Sequence, residues 1–153
     1  MTANKSWILR KRPEGEIADG DLELVTQDMP ELADGMVRVR TIYLSLDPTN
    51  RIWMSDVDGY MPPVGIGEQM RGGGIGVVEE SKFDGIQAGD IVNTGLSTWS
   101  EYNDQSGGMV NVLPQIPGVP LTAFMGPLGM TGMTAYFGLM DIGQPKAGET
   151  ILV

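Results

Sequence analysis

Alternation of apolar and polar residues runs through the first two thirds of the chain and predicts strands. Met36–Leu44 (MVRVRTIYL) is the clearest case. Val37 and Val39 point one way and Arg38 and Arg40 the other, the period-2 pattern of a half-buried strand. Residues 6–12 (SWILRKR) and 22–27 (LELVTQ) alternate in the same way around a Pro/Gly/Asp segment, and predict an antiparallel pair with one wet face. Further strands are expected at 70–80, within 83–92, at 99–104 and at 110–113. So many short strands, punctuated by Gly and Pro, argue for a barrel or a sandwich. Residues 45–54 break the alternation, and Asp47-Pro48 starts a turn that leads into a short helical turn. Residues 56–67 form a Gly/Pro-rich loop without periodicity, of the length that serves as a lid or binding edge.

Towards the end the period changes. Met133, Tyr136, Phe137 and Met140 recur at i, i+3, i+4 and i+7, one face of a helix. A shorter helix is expected near Leu121–Met125. Gly143 stands where a left-handed C-terminal cap would fall, with Pro145 after it. Residues 150–153 begin a β-branched run like those buried in parallel sheets, and the chain stops there, as though a second domain had just begun. Residues 72–74 are three consecutive glycines opening a strand. They cannot be there for packing, so they imply a bulge or a close backbone approach.

Composition narrows the chemistry. Among 153 residues there is no Cys and no His, which excludes disulfides, thiol nucleophiles, His-based triads and the usual zinc ligands. Carboxylates alone suit Mg²⁺ or Ca²⁺, but none has the spacing of an EF-hand loop. The formal charge of −10 is spread along the chain and reads as solubility. Lys and Arg form no stripe beyond residues 10–12, so no nucleic-acid partner is expected. No stretch is long and apolar enough to span a membrane, and the N-terminus lacks a secretion signal, so no membrane partner and a cytoplasmic protein are expected.

Several motifs carry a resemblance. GMTGMTAYFGLMDIG followed by PKAGETILV (residues 129–153) resembles the junction between the two domains of zinc-free medium-chain dehydrogenases/reductases. GIGVVEE and FDGIQAGDIV (74–80 and 83–92) are similar to the core of their GroES-like barrel. The subfamily is that of the NADP-dependent prostaglandin, leukotriene, alkenal and curcumin double-bond reductases. The resemblance implies a β-rich α+β fold. It would be a GroES-like, partly open barrel with two short helices near the C-terminus, ending at the first strand of a missing Rossmann domain. The division implied is residues 1–128 for the catalytic domain and 129–153 for a linker helix and that first strand, of a protein roughly twice this length.

The activity implied is reduction of the C=C bond of α,β-unsaturated ketones or aldehydes by NADPH, without zinc. The zinc enzymes' Cys and Gly-His-Glu positions read LSLDPTNR and MRGGGIG here. Carried over by motif, Met130 and Thr134 would lie against the nicotinamide, Thr134 bonding its carboxamide. On residues alone, Met130 reads as core filler and Thr134 as a helix residue bonding its own backbone. The family's Asp-Pro-Tyr-Met-Arg motif reads DPTNR: Thr49 replaces the tyrosine, Asn50 replaces the methionine and Arg51 is kept. Thr49 and Asn50 are thus cofactor-side candidates, with Arg51 and Tyr60 on the substrate side. Tyr60 either compensates for the lost tyrosine or is an ordinary interfacial one. The catalytic proton donor is not identified. The phosphate-binding glycine loop would lie in the missing domain, so the 153 residues alone are expected to be inactive. Dimers or larger species are expected. A quinone reductase and a non-catalytic GroES-like binding module remain alternatives.

Overall fold

The computed structural model describes residues 3–57 and 59–152. Its larger sheet is built around β3 (Met36–Leu44), the strand whose alternation is cleanest. Val37 and Val39 are fully buried, and Arg38 and Arg40 occupy the other face. β3 pairs antiparallel with β5 (Gly74–Ser81) on one side and with β8 (Tyr102–Ser106) on the other. β6 (Ile91–Asn93) and β9 (Asn111–Val112) extend the sheet beyond β5, giving the order β8-β3-β5-β6-β9. Val37, Val39, Val78, Val92 and Val110 form one apolar cluster on its inner side.

The polar side of β3 is tied across the sheet. Arg38 faces Asp104 on β8 and Glu80 on β5. Its Nε and Nη2 donate to the two carboxylate oxygens of Asp104 at 2.8 and 2.7 Å, and Nη2 also reaches the Pro30 carbonyl at 2.7 Å. The hydrogen bonds to Asp104 raise the pKa of Arg38, against the opposing effect of burial. Arg38→Met would leave Asp104 and Glu80 without their shared cation in a half-buried place. It should cost about 1–2 kcal/mol, read as a lower denaturation midpoint at unchanged slope.

The second layer starts from β1 (Ala3–Leu9) and β2 (Leu22–Asp28), an antiparallel pair in unbroken seven-residue register. The first strand begins three residues before the expected start and ends before Arg10. The amides of Arg10 and Lys11 instead donate to the Asp21 carbonyl, which turns the chain away. β4 (Arg71–Gly72) pairs with β7 (Ser97–Thr98). Single bridges, Ser6 to Ser100 and Ile8 to Gln69, join this pair to β1. Leu9, Trp53, Met54, Val64 and Met70 fill the space beneath, with Leu22, Met61 and Trp99 against them.

The strand expected at 99–104 starts only at Tyr102, as β8, and residues 99–101 link it to β7, which ends at Thr98. At Trp99 and Glu101 the chain crosses from one layer to the other. Trp7 N donates to Trp99 O, Glu101 N to Lys5 O, and Thr41 N to Glu101 O, so neither ladder runs through. Strands that change layer at the corners make the GroES-like, partly open barrel. The glycine run marks another corner: β4 ends at Gly72, β5 begins at Gly74, and the carbonyl of Gly73 between them accepts from Ser45 N at 2.9 Å.

Residues 115–153 form a separate unit. It contains a 3-10 turn (Leu121–Met125) and α2 (Met130–Phe137), which widens into a π-helical turn (Gly138–Gly143). Gly129 and Gly132 lie so close to the carbonyls of Phe124 and Pro127 that a side chain at either would collide with backbone. The left-handed residue that ends the helix is Gln144, at φ 45°, and not Gly143. The π turn adds one residue before the cap and so moves it along the chain. Residues 150–152 make no ladder with any described residue, because a strand needs a neighbour; Val153 lies outside the described residues.

Candidate substrate and cofactor site

α1 (Pro48–Trp53) follows β3 directly and carries three of the predicted site residues. Pro48 occupies its first turn, where a missing N–H costs nothing. Ahead of it, Ser45 Oγ donates to the Asp47 carboxylate at 2.6 Å, and Asp47 N donates to Asn50 Oδ1 at 2.6 Å. The short helix is therefore fixed at its start by side chains the turn motif itself supplies.

The three predicted residues of α1 point in different directions. Asn50 is buried, and its Nδ2 donates to the Arg71 carbonyl at 3.2 Å, tying α1 to β4. Arg51 donates to the carbonyls of Pro13 (2.9 Å) and Gly15 (2.8 Å from Nη2) and to Ser55 Oγ (2.7 Å). It thereby holds the connection between β1 and β2. Both side chains have their polar atoms engaged within the fold. Thr49 turns towards the loop, and its hydroxyl meets the Tyr60 hydroxyl at 2.6 Å. Tyr60 is 76% exposed, with its ring edge-on to Trp53, centroids 6.3 Å apart.

Two further residues complete this surface. Trp53, one helical turn after Thr49, is the buried platform under Tyr60. Arg71 lays its guanidinium over the same indole, 5.2 Å from the ring centroid, and donates from Nη1 to the Pro62 carbonyl at 2.9 Å. Sequence reasoning passed over both. The available signals were the i, i+4 spacing of Thr49 and Trp53 and the arginine placed directly before the glycine run.

Met130 and Thr134 belong to the second unit, on successive turns of α2. Met130 is 75% exposed. The Thr134 hydroxyl donates to the Met130 carbonyl at 2.8 Å, so its lone pairs still face solvent. An open polar depression of about 460 Å³, lined in part by Asn4, Gln69, Thr98, Asn103 and Gln105, lies elsewhere in the first unit. None of the predicted site residues lines it. Among the described residues no group of three or more Asp and Glu is arranged to hold a metal, and no helix is long and apolar enough to cross a membrane.

Residues 5–113 match the family described as the N-terminal domain of oxidoreductase, and the chain belongs to that family. Among its relatives, the NADPH-dependent curcumin reductase of Escherichia coli is 45% identical over 150 residues, 98% of this chain and 43% of that protein. Prostaglandin reductase 1 of Mus musculus is 37% identical over 155 residues, all of this chain and 45% of that protein. The crystal structure of CurA in complex with NADPH from Vibrio vulnificus superposes with a TM-score of 0.85 at 38% identity, over 95% of this chain and 42% of that one. The resemblance read from the motifs is thus to the right relatives. The chain spans less than half the length of each.

Proposed function

We propose that this chain is the substrate-binding part of an NADPH-dependent reductase that saturates the C=C bond of α,β-unsaturated ketones or aldehydes without zinc. The observation that carries the reading is the paired hydroxyls of Thr49 and Tyr60 beside the Trp53 platform. Thr49 stands where the family has a tyrosine, and Tyr60 returns a phenol to that place from the neighbouring loop. With Thr49 donating to it, the Tyr60 hydroxyl is free to donate to a substrate carbonyl oxygen and to stabilise the negative charge that gathers there as an enolate forms. The exposed ring of Tyr60, backed by the buried Trp53 indole, suits a flat conjugated substrate. Asn50 and Arg51 act by fixing α1, and so the position of Thr49.

The residues of α2 fit the nicotinamide half of NADPH. Thr134 has acceptor capacity for an amide N–H once its own proton is given to Met130, and Met130 offers an exposed thioether surface. The cofactor, when bound, supplies the hydride.

The test uses the full-length protein, NADPH and an aromatic enone, following loss of NADPH absorbance and formation of the saturated ketone. Turnover is expected, and Tyr60→Phe should lower kcat/KM about fivefold, the loss of one exposed hydrogen bond of about 1 kcal/mol. Turnover of quinones but of no enone would move the protein to the quinone class. NADPH consumption with neither substrate would leave a binding module.

A further inference from the structure

We propose that Arg71 is a positioning residue for Tyr60, holding the loop that carries it and so fixing where the phenol hydroxyl stands. The inference rests on the reading of Tyr60 given above. Arg71 is itself well anchored. Its backbone pairs with Thr98 in the β4–β7 ladder, and its carbonyl accepts from the buried Asn50 at 3.2 Å. From that root the side chain makes two contacts. Nη1 donates to the carbonyl of Pro62, two residues beyond Tyr60, at 2.9 Å. The guanidinium lies over Trp53, the indole against which Tyr60 sets its ring edge. One side chain therefore fixes both the backbone just past Tyr60 and the platform under its ring.

Tyr60 needs such a hold. It is 76% exposed, and among the described residues its only side-chain hydrogen bond is the one to Thr49. The other polar tethers of the loop's described residues lie to either side of Tyr60: Asp56 faces Arg12 at 3.5 Å, and the rest fall at Val64 and beyond. Val64 N donates to Trp53 O at 2.8 Å, and Arg12 Nη1 donates to Val64 O at 3.2 Å. With the Pro62 carbonyl released, residues 59–62 would be held by the packing of Met61 alone, and Tyr60 could swing away from Thr49. An arginine suits the task where a lysine does not, because a planar guanidinium can stack on an indole and donate sideways in the same pose.

The experiment is a double-mutant cycle in the full-length protein, with Arg71→Met, Tyr60→Phe and the pair. It measures enone kcat/KM, NADPH affinity, and hydrogen exchange of peptides covering residues 59–67. Methionine keeps an apolar stem over Trp53 and removes the donor. Arg71→Met is expected to lower kcat/KM about threefold in the native background and to add nothing once Tyr60 is phenylalanine, as coupled sites do. NADPH affinity should stay unchanged, and exchange should quicken in 59–67 alone. Losses that multiply in the double mutant, or exchange that does not change, overturn the proposal while leaving the role of Tyr60 intact. A silent Tyr60→Phe overturns that role, and this inference falls with it. Should Arg71→Met fail to fold, Arg71→Lys carries the same cycle, with the same loss in the native background and none beyond Tyr60→Phe.

Discussion

Gly74→Ala is expected to destabilise the protein by about 3 kcal/mol, the upper end for an overfilled core, and to lower the melting temperature by about 10 °C. Gly74 opens β5 opposite Leu44, and its carbonyl accepts from both the amide (2.9 Å) and the hydroxyl (3.1 Å) of Thr94. A methyl group there would run into the Tyr43 carbonyl oxygen, with Tyr43 C at 3.5 Å and Leu44 Cα at 3.7 Å. All three are backbone atoms of the paired strand, so no rotamer change relieves the clash. Relief requires moving β3, the strand on which the larger sheet is built. Gly20 supplies the comparison: its φ is +90°, but nothing lies within 4 Å of an added methyl. Gly20→Ala should cost only the backbone strain, roughly 1 kcal/mol. Thermal or denaturant unfolding of the two variants side by side checks the argument. Equal losses would mean that the close approach at Gly74 carries no weight.

Those glycines also mark how far the sequence could be read. Three in a row at the head of a strand demand a bulge or a near neighbour, but composition does not name the neighbour. The structure gives each a different one: the Trp99 indole nitrogen at Gly72, the Gly95 carbonyl at Gly73 and the Tyr43 carbonyl at Gly74. All three contacts are remote in sequence. By contrast, β3 was legible to the residue, because alternation is local and one face of it is fully buried. The crossing at residues 99–101 was not, since it depends on which layer takes their backbone groups. The shift of the helix cap from Gly143 to Gln144 was hidden for a related reason. A π turn leaves the apolar spacing nearly unchanged and alters only the hydrogen-bond count.

The site divides along the same line. Motif comparison singled out residues of α1 as candidates, but the direction of each side chain follows from tertiary partners. Asn50 and Arg51 look alike in the sequence as polar residues of a short helix. One is drawn inward by the Arg71 carbonyl and the other sideways by Pro13 and Gly15, 36 or more residues away in the chain. Tyr60 is a different case: the loop's composition marked it as a candidate, but its partner, the Thr49 hydroxyl at 2.6 Å, is eleven residues away and carries no sequence signal.

In the full-length protein, Thr134→Val is expected to raise KM for NADPH, or to slow hydride transfer, about tenfold or more, with stability almost unchanged. The two substituents are nearly the same shape, and the site is exposed on α2. The hydroxyl's present bond, to the Met130 carbonyl of its own helix, contributes little to folding. What the substitution removes is the acceptor that the hydroxyl keeps after donating that proton. If a carboxamide N–H uses it in a water-poor site, its loss costs about 1–3 kcal/mol, which at the middle of the range is more than tenfold. Thr131, three residues earlier, separates this from a general effect on the unit. Its hydroxyl donates to the Gly126 carbonyl at 3.1 Å and so links α2 to the preceding turn. Thr131→Val should therefore lower the melting temperature and leave NADPH kinetics alone. Kinetics and melting measured on both variants decide the matter. If Thr134→Val instead matches Thr131→Val, less stable but kinetically normal, then Thr134 only braces its own helix and the cofactor is held without it.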